Sequence, residues 1–201
     1  MFRIMVQFLS VNSKNKNRLP CRLVCAAVFA AAMALTTDAF ASGADYKLKA
    51  AYIYQFTKFV RWPDAAYENN QTPIKICVLG KSPFGKSLDT FSSRVSQNKS
   101  LSVEHLQSIK NIEQCHAVYI CQSERKKLPK ILEVIKRVPV LSISDMNDFA
   151  ERGGMIGFKP KNRKVGIVIN VNAAQIAGIK ISSKLLEVST VIDHDAKEEA
   201  P

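Results

Sequence analysis

The chain is short of histidine, of acidic residues and of long apolar runs. Its three histidines, His105, His116 and His194, are spread over 201 residues. Spacing cannot assemble a Ser/His/Asp or Cys/His triad from them, and no second Cys/His pair stands at zinc-ligand distance from Cys115 and His116. No catalytic residue, metal ligand or cofactor is therefore expected. Seventeen acidic residues face 29 basic ones, a formal charge of +12. Only residues 23–37 form an apolar run, and as a helix they would reach about 22 Å, short of a roughly 30 Å hydrocarbon core. That excludes a polytopic membrane protein, while 47% hydrophobic and 23% charged residues exclude a disordered chain.

Arg3, Lys14, Lys16, Arg18 and Arg22 precede the apolar run with no acidic residue among them. Ala39-Phe40-Ala41 then places small residues at the two positions a signal peptidase inspects. Residues 1–41 read as an export signal cleaved after Ala41, which makes the protein periplasmic. Residues 42–192 form one domain, and 193–201 are a polar, flexible tail. The exported chain keeps 24 basic and 16 acidic residues, a charge of +8. No nucleic acid partner is expected there, and no direct membrane insertion once the signal is gone.

Along that chain, Leu48, Ala51, Tyr52, Phe56, Phe59 and Val60 recur at helical spacing, so residues 45–61 read as an amphipathic helix stopped by Pro63. Strands follow at 74–79, 101–106, 117–121 and 140–144, with a short helix through Leu88 and Phe91 and a longer one carrying Leu128, Ile131, Leu132 and Ile135. Residues 155–159 and 165–171 flank the turn Pro160-Lys161-Asn162-Arg163 as a hairpin, and helices are expected at 173–178 and 182–191. The pattern predicts an α/β fold: a single Rossmann-like domain, its mostly parallel sheet flanked by helices, with a C-terminal β-hairpin.

Gly80-Lys81-Ser82-Pro83-Phe84-Gly85-Lys86-Ser87 matches the phosphate-loop pattern GxxxxGKS, and Asp145 ends an apolar strand as a magnesium-holding carboxylate would. An exported protein meets no nucleotide triphosphate pool, and a Gly/Pro turn explains the same residues. Cleavage also removes Cys21 and Cys25, leaving Cys77, Cys115 and Cys121: one disulfide and one spare thiol. Cys77 lies in the first strand and Cys115 begins the third, neighbours in a 2-1-3 strand order. This favours Cys77 with Cys115 and leaves Cys121 a buried free thiol.

LKAAYIYQFTKFVRWP (48–63), IKICVLGKSPFG (74–85), CHAVYI (115–120), PVLSISDMNDFAERGGMIGF (139–158) and VGIVINVNAAQIAGIKISSKLLEVS (165–189) together resemble the YfiR-like family of bacterial periplasmic proteins. The resemblance covers nearly the whole exported chain in the family's order. It implies a regulator rather than an enzyme: an inhibitor that binds the periplasmic sensing domain of a membrane-anchored diguanylate cyclase and lowers cyclic di-GMP signalling. It also implies that a Cys77–Cys115 bridge makes the inhibitor responsive to envelope redox state. A second cysteine pair of some relatives is missing, since Ala150 and Gly157 stand about there.

Arg61 and Trp62, residue types enriched at binding hot spots, are expected to face the partner, with Phe158 and Ile169 of the hairpin region beside them. Trp62 alternatively caps the core. A homodimer through a sheet edge is a further expectation. The rival function is a periplasmic small-ligand sensor acting on another membrane receptor, its solute held at the strand ends near residues 80–85 and Asp145.

Overall fold

In a computed structural model, residues 38–69, 71–161 and 164–193 are described. Most of the predicted signal, the residues at the tip of the hairpin turn and nearly all of the predicted tail lie outside them. A compact unit begins at Ser42. Among the described residues no helix is long and apolar enough to cross a membrane.

The first helix, α1 (Asp38–Phe59), stops two residues earlier than its periodicity predicts. Val60–Arg61 continues as a short strand, β1, which pairs antiparallel with β9 (Lys180–Ile181). The cause is Pro63, which drives the residue before it out of helical geometry. The inward face of α1 carries Ala50, Ile53, Phe56 and Thr57, all at most 1% exposed, whereas Leu48 points outward at 43%. The buried stripe is thus rotated from the one expected: Ile53 and Thr57 join it, Leu48 leaves it, and Ala51, Tyr52 and Phe59 lie half-buried along its flanks.

The main sheet has eight strands: β2 (Ile74–Leu79), β3 (Val95–Ser96), β4 (Lys99–Leu106), β5 (Ala117–Ile120), β6 (Leu141–Ser144), β7 (Ile156–Lys161), β8 (Lys164–Asn170) and β10 (Thr190–Ile192). They lie in the order β10-β8-β7-β6-β5-β2-β4-β3. The neighbours of β2, β5 and β6 run parallel, as predicted, but β7/β8 and β3/β4 are antiparallel. Parallel pairings outnumber antiparallel ones, as expected, but the sheet is curled and mixed, and the expected Rossmann-like arrangement is corrected to an α/β domain built on it. The expected hairpin is part of that same sheet, inserted between β6 and β10. Two- and three-residue strands, β3 and β10, form its edges.

Burial on both faces explains the near-continuous apolar strands. Ile74, Ile76, Val78, Tyr119, Leu141 and Ile143 pack on the α1 side. Cys77, Leu79, Val118 and Ile120 point the other way, onto Leu128, Ile131 and Ile135 of α2 (Leu128–Ile135) and onto Phe149. Gly154 packs against the Phe149 ring so closely that a Cβ there would strike it. The predicted helix at 173–178 starts earlier, as α3 (Val171–Ile176), because Asn170 caps it: its Oδ1 accepts from Ala173 N at 2.9 Å.

The helix predicted over 182–191 is corrected. Only Ser183–Glu187 is helical, α4, and Thr190–Ile192 joins the sheet as β10, parallel to β8. Three consecutive β-branched residues fit a pleated edge better than a helix turn.

Candidate functional site

Two regions lie where chemistry or binding was expected, and the first is the carboxyl end of β2 and β6. Gly80 leaves β2 at φ +95°, a conformation glycine adopts freely, and a Cβ there would collide with Ser123 Oγ. Phe84 then turns inward, 3% exposed, with its ring edge-on to Tyr119 at 4.6 Å and to Tyr46 at 5.6 Å. No α-helix follows Ser87; the chain makes turns and one 3₁₀ turn, Asp89–Phe91. A phosphate loop needs its backbone N–H groups aimed from a helix start, so GxxxxGKS here is a pattern without its geometry.

Asp145 is likewise committed. Its Oδ2 accepts from Lys49 Nζ at 2.6 Å and from Tyr46 Oη at 2.8 Å, and Gln122 Nε2 stands 3.3 Å from Oδ1. Burial alone would raise this carboxyl, but the Lys49 ammonium and the Tyr46 hydroxyl outweigh it and hold it below the ordinary carboxylate range. Burial, then the Asp145 charge, raises the Tyr46 hydroxyl. Tyr119, fully buried, brings its hydroxyl near Asp145 without closing a hydrogen bond. The cluster pins α1 to the end of β6. Among the described residues no group of three His, Cys, Asp or Glu could hold a metal ion.

The disulfide joins Cys77 to Cys115, with Cα atoms 6.0 Å apart across the β2/β5 neighbourhood. Cys121 is free and buried. It packs on the α1 face, whereas the bridge packs on the α2 face, so the sheet itself separates the spare thiol from the bond. Burial, reinforced by Asp145 and Glu124, pushes the Cys121 thiol up to about 12.

His116 follows the bridge. Its Nδ1 accepts from Lys75 N at 3.1 Å, which puts the proton of the neutral ring on Nε2; that atom faces the Ala66 backbone without closing a hydrogen bond. Burial is the main reason its pKa falls to about 4, with Lys75 and Lys99 adding to it. Trp62 Nε1 donates to His116 O at 2.7 Å, and the two rings meet edge-on.

Of the four residues expected to face a partner, three are interior. Trp62 is 6% exposed and caps the core over His116; Phe158, 4% exposed, packs against Tyr52 and Phe56; Ile169, fully buried, pairs with Ile156 and Val191 across the sheet. Only Arg61 is exposed, in register with Lys180. The structure does not bring the four together on a surface.

Among the described residues, cavities open beside α1 and beside α2. One of about 340 Å³ lies beside Asp145, Lys49 and Phe158. A larger one, about 590 Å³, lies between α2, the turn at Glu151, Arg152 and Gly153, and α3. Residues 80–85 line neither, so the expected solute position is met only at Asp145. The buried polar residues Ser142 and Asn170, set in apolar strands, line the larger cavity, and no spacing in the sequence marks them as a pair.

No curated protein matches the chain. Among solved structures, an ABC domain from Streptococcus pneumonia crystallised with L-Trp shares 14% identity over 59% of this chain and 55% of its own, at a TM-score of 0.44. A conserved domain protein from Vibrio cholerae shares 12% over 71% of this chain and 59% of its own, at 0.48. The chain spans less than two thirds of either, and neither likeness carries a conclusion about function. The model of the YfiR/HmsC-like domain matches residues 46–190, from the Tyr46 that holds Asp145 to the start of β10. The chain belongs to the YfiR/HmsC-like family, whose members are non-catalytic periplasmic regulators.

Proposed function

We propose that the protein is a ligand-responsive periplasmic regulator: it takes up a small solute and acts on a membrane receptor through its surface. The observation that carries this reading is the cavity of about 590 Å³, within the roughly 300–1,000 Å³ range of small-molecule sites. Export by cleavage after Ala41 agrees with the start of the compact unit at Ser42.

A second reading rests on family membership. Here the receptor is a membrane-anchored diguanylate cyclase, restrained through its periplasmic domain, with the Cys77–Cys115 bridge setting a redox response and Arg61 on the contact surface. A homodimer through β3 or β10, where Val95 and Val191 are exposed, fits either reading.

One experiment separates them. The purified protein is screened for thermal shifts with periplasmic solutes while membrane proteins cross-linked to it in intact cells are identified. A solute-induced shift together with a captured receptor other than a cyclase supports the first reading. Capture of a diguanylate cyclase, with cyclic di-GMP rising on deletion of the gene, supports the second. No shift overturns the first, and an unchanged messenger with no cyclase captured overturns the second.

A further inference from the structure

The larger cavity has walls of one kind and a floor of another. Leu128, Leu132, Ile135, Met155 and Ile176 give it an apolar wall, of which Ile176 is 45% exposed. At the floor sit Ser142 and Asn170, 1% and 2% exposed. Both are fixed by main-chain partners: Ser142 Oγ accepts from Met155 N at 3.0 Å, and Asn170 Nδ2 donates to Ala150 O at 2.9 Å while its Oδ1 accepts from Ala173 N. A hydroxyl and a primary amide each hold more hydrogens than these bonds use. Ser142 keeps its hydroxyl proton, and Asn170 keeps the second of its two amide hydrogens.

The charges lie at the mouth, and they balance. Glu133 and Glu151 stand against Lys136 and Arg152, so the opening selects no net charge. An ionised group carried to the floor would lose its water and meet only neutral donors, at a large desolvation cost. A neutral acceptor such as an amide carbonyl meets the spare donors without that cost, and its apolar body covers the wall that Ile176 leaves open.

We propose that this cavity is the binding site for a small neutral amphiphile, an apolar body bearing an uncharged hydrogen-bond acceptor. The assignment rests on the ligand-responsive reading and adds to it the site and the ligand class. Ser142 and Asn170 orient the acceptor; Met155 and Ile176 hold the body.

The test is a titration of hexanamide into the 15N-labelled protein, followed by amide chemical shifts, with hexanoate as the charged comparison. The expected result is a saturable shift centred on Met155, Ala173 and Ile176, with hexanoate at least tenfold weaker. Ile176→Arg, at an exposed position that leaves the fold intact, weakens hexanamide at least tenfold. The proposal is overturned by no saturable shift, by equal affinity in Ile176→Arg, or by hexanoate binding as tightly as hexanamide. Shifts confined to the Asp145 cavity overturn the site alone and leave the ligand-responsive reading standing; that reading is tested separately, by the solute screen.

Discussion

Lys49 and Asp145, 96 positions apart in the chain, meet at 2.6 Å with side chains 14% and 7% exposed. The pair ties the middle of α1 to the loop that leaves β6. Removing one partner from so enclosed a pair leaves the other charge uncompensated, which costs about 3 kcal/mol. Asp145→Ala is therefore expected to lower the unfolding free energy by about that much in urea melts, and Lys49→Met combined with Asp145→Leu to recover part of it. A loss under about 0.5 kcal/mol would mean the pair holds nothing in place.

The bridge between Cys77 and Cys115 closes a 38-residue separation. In the chain-entropy model its loss costs about 4 kcal/mol, a large share of a typical domain's stability. Reduction with dithiothreitol and the Cys77→Ser variant should lower the melting temperature alike. Cys121→Ser should leave the bridge formed and the protein folded.

The Cys121 thiol, buried and pushed up to about 12, holds almost no thiolate at neutral pH. Iodoacetamide should leave it unlabelled in the native protein at pH 8 and label it after unfolding in guanidinium. Rapid native labelling would show that the thiol is reachable.

His116 titrates at about 4 in the fold against an ordinary 6.5. Between those values the unfolded chain binds a proton that the folded chain refuses, so stability contributed by the neutral ring is complete above pH 6.5 and drains away as pH falls toward 4. The full loss is roughly 3 kcal/mol. His116→Asn keeps an acceptor for Lys75 N and should flatten the slope of stability against pH across that window.

Lys86 is exposed, in a loop that lacks a following α-helix. Lys86→Ala should change neither stability nor the response to ATP and magnesium, which is expected to be nil in both proteins by calorimetry. Magnesium-dependent ATP binding that Lys86→Ala abolishes would restore the phosphate-loop reading.

Much of this fold was legible in the residues. The runs around Ile76, Val118 and Leu141 are buried on both faces and read as parallel strands, and the same strand order brings Cys77 to Cys115. What escaped is short or distant. Two-residue β1, β3 and β9 carry too little pattern to register, and β10 begins three residues after a helix whose periodicity runs into it. The Lys49–Asp145 pair and the cavity floor join residues remote in sequence, and local spacing carries no trace of such contacts. Trp62 misled through residue type: a large aromatic beside Arg61 resembles a hot spot, yet its indole N–H is spent on His116 O. The glycines and lysine of GxxxxGKS misled in the same way, since letters alone do not supply the helix.

The most direct measurement is native mass spectrometry of the protein released from the periplasm without denaturation. A ligand-responsive regulator should carry, in part of its population, a non-covalently bound small molecule that is missing from Ile176→Arg prepared in parallel. The polypeptide mass alone in both samples, with no solute retained at any gentleness of ionisation, would contradict it.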